Sequence, residues 1–131
     1  VLNNNLFFIR ELPKNYIVNV YSAASVCTSL FLPLKEMEAN SANKFFDSLA
    51  AGKPIMINYK GWQANLIEKY NIGIVVPSDD FYLAAKQLEL YITDSNRLFT
   101  NGKSAKELGE KLFDREKLYR SFEKVFLDVS N

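Results

Sequence analysis

The chain has 131 residues, 48% hydrophobic and 24% charged, which places it among soluble globular proteins of about one domain and excludes disordered and fibrous classes. Sixteen Lys and Arg against fifteen Asp and Glu give no overall positive field, so nucleic acid is not an expected partner. The absence of His excludes Ser/His/Asp and Cys/His triads and His-ligated metal, and neither a metal site nor a cofactor is expected.

The opening, Val1 with Asn3, Asn4 and Asn5, reads as a linker or a cut end entering a single domain. Leu6 to Ile9 is an apolar run of strand length. Pro13 then fits the first turn of a helix from about Lys14 to Ala24, with Tyr16, Ile17, Val20 and Tyr21 at helical spacing. Val26 to Leu32 predicts a second buried strand, closed by Pro33. Within it, Cys27 reads as a buried thiol, which fits a reducing, cytoplasmic setting. No apolar stretch approaches the ~20 residues a bilayer requires.

Lys35 to Asn40 is polar and without period, hence a loop, and Ser41 is placed to cap a helix carrying Phe45, Phe46, Leu49 and Ala50. Gly52 supplies its left-handed stop. Pro54 to Ile57 is a third strand and Gly73 to Val76 a fourth, with a short helix from Trp62 to near Asn71 between them. Asp79 and Asp80 introduce a helix from about Phe81 to Thr93. Ser95 caps another towards Phe113, weakened at Asn101 and Gly102, and a last helix runs from about Arg115 to Val129. Unbroken apolar strands alternating with helices argue for an α/β fold, a Rossmann-like parallel sheet of about four strands with helices on both faces. Ligands of such sheets bind beyond the carboxyl ends of the strands, which selects the loops at 10–14, 35–43 and 58–62.

Ser41-Ala-Asn-Lys-Phe-Phe-Asp-Ser-Leu-Ala-Ala-Gly-Lys-Pro-Ile resembles the nucleotide-sugar-binding signature of retaining glycosyltransferases of the large family 4, which have the GT-B fold. Leu12-Pro13-Lys14, Ser25 to Pro33 and Gly73-Ile-Val-Val-Pro are similar to flanking elements of that family, so the resemblance covers the chain from about Leu6 onward. It is closest to enzymes that make bacterial surface and capsular polysaccharides. The resemblance implies a partial carboxyl-terminal, donor-binding domain for a UDP or GDP sugar.

By position, Asp47 matches the acid that accepts hydrogen bonds from the nucleotide ribose. Ser41, Ala42 and Asn43 match the helix start that faces the diphosphate, with Lys44 adding positive charge. Leu12 and Lys14 lie in the turn that matches the part beside the base. The family places a first Glu eight positions before the second acid; that position is Ala39, and Glu38, one residue further back, is the candidate donor-sugar contact.

The resemblance also implies an amino-terminal half that presents an acceptor sugar or lipid-linked glycan, and a full-length protein that is cytoplasmic and peripheral to the inner membrane. Without that half and the first two strands of this one, the isolated chain is expected to be inactive and to self-associate through open sheet edges. The residues alone leave a second reading open, a non-catalytic flavodoxin-like or nucleotide-binding module acting through a partner.

Overall fold

The computed structural model describes residues 4–129, which form a mixed α/β fold. In chain order these are α1 (Lys14–Ala23), β1 (Cys27–Ser29), a short 3-10 helix (Lys35–Ala39), α2 (Asn43–Ala50), β2 (Ile55–Ile57), α3 (Trp62–Tyr70), β3 (Gly73–Val75), α4 (Phe81–Thr93), α5 (Ser95–Leu112) and α6 (Arg115–Val129). The strands run parallel in the order β1-β2-β3, with Cys27, Ile55 and Gly73 in one row and Ser29, Ile57 and Val75 in another.

Every residue of the central strand β2 is buried, as its continuous apolar run requires. Ile55 and Ile57 join one cluster with Phe45 and Leu49 of α2, Ile67 of α3 and Leu108 of α5. Phe45 and Leu49 stand four residues apart and therefore share a helix face. Successive strand residues alternate between faces, so Thr28, Met56 and Ile74 look the other way; Thr28 is exposed and Ile74 only half-buried. The core thus gathers on one face of the sheet, and the two-sided cover expected from the sequence is not seen at β1.

The expected strand at Leu6–Ile9 is reduced to a single bridge residue, Leu6, outside the sheet, which leaves three of the expected four strands among the described residues. An apolar run becomes a strand only where a neighbour takes up its backbone groups, and the outer edge of β1 pairs with nothing in this sheet. Leu6, Phe7, Phe8 and Ile9 are all exposed, Phe8 by 90%. The strand expected over Val26–Leu32 contracts to Cys27–Ser29 because the Phe31 N–H and C=O both turn to the side chain of Asn58, each at 2.9 Å.

Two caps differ from expectation. Ala42, not Ser41, holds the N-cap of α2, without a side-chain hydrogen bond. At α5 the cap is Asp94, not Ser95, and its carboxylate accepts from the Arg97 N–H at 2.9 Å; a carboxylate one residue earlier reaches the free amides of the first turn. Asp80 caps α4 in the same way through the Leu83 N–H at 2.8 Å. Gly52 stops α2 at φ 65°, with its own N–H donating to Leu49 and the Lys53 N–H to Ser48, the paired bonds of a Schellman turn.

Asn101 and Gly102 are buried contacts rather than a weak point in α5. A Cβ on Gly102 would lie 2.7 Å from the Gly52 carbonyl, so the bare backbone is what lets α5 reach the turn after α2. The Asn101 amide oxygen accepts from the Tyr91 hydroxyl at 2.8 Å, and its nitrogen donates to the Asn71 carbonyl at 3.0 Å. One buried side chain thereby joins α4, α5 and the left-handed end of α3. Among the described residues no helix is long and apolar enough to cross a membrane.

Candidate functional site

At the carboxyl ends of the strands, the connection from β1 to α2 is fastened to the connection from β2 to α3 at three points. The Asn58 side chain pairs with the Phe31 backbone. Gly61, at φ 104°, lets the Glu38 carbonyl lie where a Cβ would otherwise be. The Trp62 indole N–H donates to the Asn40 carbonyl at 3.1 Å. Behind these contacts the buried Tyr59 hydroxyl donates to Gln63 Oε1 at 2.6 Å. Burial pushes the Tyr59 phenol above its ordinary pKa, and the Ser29 hydroxyl works against that shift. The fastened loops enclose a cleft of about 660 Å³ whose walls carry Lys35, Glu38, Lys60 and Asp79.

A second pocket, of about 730 Å³, opens where α1, α2 and α6 meet. Lys14, the first residue of α1, lines it together with Asn43 and Asp47 of α2 and Arg115 and Tyr119 of α6. Asn43 and Asp47 are one helical turn apart and so face the same space. Phe46 and Phe113 also line the pocket, with ring centroids 5.1 Å apart, and Trp62 packs behind Phe46 at 6.0 Å. Among the described residues neither Lys14, Asp47 nor Arg115 belongs to an ion pair; the pairs are Lys86–Glu89 and Lys103–Glu107. Two positive charges and one negative, none in a direct ion pair, therefore border an aromatic floor.

The field of Asp47 reaches α1. The Tyr21 phenol is held above its ordinary pKa first by burial, then by the Asp47 carboxylate and, in the alkaline range where the thiol ionises, by Cys27. Cys27 is itself pushed up by burial, with Ser48 and Lys53 opposing, so its thiol stays protonated and unreactive at neutral pH.

Lys14, Asn43 and Asp47 are thus brought together, whereas Glu38 stands in the other cleft. Ala42 is buried at the N-cap, Leu12 is half-buried, Ser41 and Lys44 are exposed, and none of these four lines either cavity. Sequence reasoning missed Arg115 and Tyr119, which reach the pocket from a helix more than sixty residues downstream of α2. Their four-residue spacing was visible; the direction in which α6 leaves α5 was not.

No protein-family model, no curated protein and no solved structure matches this chain.

Proposed function

We propose that this chain is the donor-binding part of a retaining glycosyltransferase of the GT-B kind, its three strands belonging to a Rossmann-like sheet, and that the pocket between α1, α2 and α6 takes the nucleotide of a UDP or GDP sugar. The observation that carries the reading is the convergence of Lys14, Asn43 and Asp47, three of the residues that the family resemblance nominates, on one pocket where none of the charges is in a direct ion pair among the described residues.

The chemistry fits the residues. An ionised carboxylate accepts two hydrogen bonds from a vicinal diol, so Asp47 suits a ribose. Asn43 supplies both donors and an acceptor at the start of α2, and Lys14 supplies positive charge for phosphate. Glu38, on the fastened loop, is the candidate group for the donor sugar. The acceptor, a growing surface polysaccharide or a lipid-linked glycan, would be held by an amino-terminal half in a cytoplasmic enzyme. The reaction requires both substrates to be positioned across a cleft, so this chain alone is expected to give no turnover.

Calorimetric titration with UDP, GDP and flavin mononucleotide tests the reading. Binding of UDP or GDP is expected, and Asp47→Ala should weaken it by about 1.5 to 3 kcal/mol, the worth of a hydrogen bond to a charged group. An unchanged affinity removes Asp47 from the site, and binding of the flavin alone replaces the reading with a flavodoxin-like one.

A further inference from the structure

We propose that α6 forms the second wall of the nucleotide pocket, with the Arg115 guanidinium holding the phosphates and the Tyr119 ring carrying the base. The inference rests on the pocket being a nucleotide site, and it adds two contacts that the family resemblance does not assign.

The start of α6 is held in place. The Asp114 carboxylate accepts from the Lys117 N–H at 2.9 Å, and the Lys117 ammonium reaches back to the Glu110 carbonyl of α5, also at 2.9 Å. The Phe113 N–H donates to the Gly109 carbonyl at 2.9 Å. The first of these bonds caps α6, the third closes α5, and the Lys117–Glu110 bond joins the first turn of the one to the last turn of the other. Since α5 packs on α2 through Gly109, where a Cβ would lie 3.2 Å from that of Leu49, the position of Arg115 relative to Asp47 follows from the core. Arg115 and Tyr119 are four residues apart and present one face.

Charge sets what the pocket must supply. The carboxylate that would hold the ribose repels phosphate, and a site for both must offset it with positive charge inside the pocket. Lys44, a cation expected from the sequence at the diphosphate, lies outside, and the pocket is lined instead by Lys14 and Arg115. Arg115 lines the pocket with no carboxylate partner among the described residues, and its planar fork can grip a phosphate through two parallel bonds. Tyr119 is 59% exposed, and an aromatic face open to solvent is a platform on which a base can stack.

The test is calorimetry on the whole chain with UDP against uridine, and GDP against guanosine, using Arg115→Ala, Arg115→Lys, Tyr119→Ala and Tyr119→Phe, with circular dichroism to confirm folding. Arg115→Ala is expected to weaken diphosphate binding about tenfold or more and to leave nucleoside binding unchanged. Arg115→Lys should recover part of the loss. Tyr119→Ala should weaken nucleotide and nucleoside alike, and Tyr119→Phe should restore both. If the unaltered chain binds the diphosphates and Arg115→Ala does so equally well, or loses nucleoside to the same degree, the assignment of Arg115 is overturned while the nucleotide reading stands. If Tyr119→Ala binds as the unaltered chain does, the base platform is overturned. Failure of the unaltered chain to bind any of the four ligands overturns the nucleotide reading, and this inference with it.

Discussion

Phe45 and Phe122 are the same side chain on two amphipathic helices, and their fates are opposite. Phe45 in α2 is fully buried against β2, α3 and α5, whereas Phe122 in α6 is 64% exposed. The contrast extends to whole regions. From Ala42 to Val75, helices and strands alternate over short connections, and the apolar faces of α2, β2 and α3 are covered by one another and by α5, whereas α4 leaves Phe81, Tyr82 and Leu90 exposed. In the flanks, Leu6 to Ile9 and the apolar stripe of α6 at Leu118, Phe122 and Val125 remain exposed. Amphipathic spacing therefore specifies a helix and the face it would bury, but burial itself depends on a partner element.

The largest test of this contrast is Phe45→Ala. Deleting a fully buried Phe removes its transfer energy and leaves a cavity, so denaturant unfolding should show a loss of about 3 to 5 kcal/mol. A loss below ~1 kcal/mol would mean that the central region is not packed as described.

Asn101→Ala should cost about 1 to 3 kcal/mol, since it leaves the Tyr91 hydroxyl and the Asn71 carbonyl without their buried partner. An unchanged midpoint would show that the junction of α3, α4 and α5 is held by apolar contacts alone.

The smallest effect on stability belongs to the flanks. Phe122→Ala should lie within about 0.5 kcal/mol of the unaltered chain. Its effect should appear instead in association, because exposed apolar surface and the unpaired edge of β1 favour contact with other copies. Light scattering over a concentration series should show mass rising with concentration and rising less for Phe122→Ala. A strictly monomeric mass would mean that these surfaces do not attract one another.

What could be read from the chain followed the same division. The limits of α6 and α4 emerge from residue spacing because helical periodicity and an acidic start are local properties. Gly52 was legible as a helix stop because a left-handed position selects glycine regardless of what lies around it. Leu6–Ile9 misled because pairing is not local: an apolar run carries no mark of whether a neighbouring strand exists. Gly102 misled for a related reason. Intrinsic propensity counts it against the helix, while the close approach of α5 to the Gly52 carbonyl requires it. The candidate site was readable only in part, since Asp47 and Asn43 share one helix but Arg115 reaches them through the packing of α5 on α2.

The fastening of the Glu38 loop has a consequence for the unfolded chain. The connection from Ser29 to Asn43 has no strand or long helix of its own to order it, and closing it as one free loop would cost entropy all at once. Fastened at Phe31, Glu38 and Asn40, it closes instead as a series of short segments, each anchored to the connection between β2 and α3. The two connections then order and fray as a single cooperative unit, and amide exchange along them should share one opening free energy rather than a gradient from end to centre.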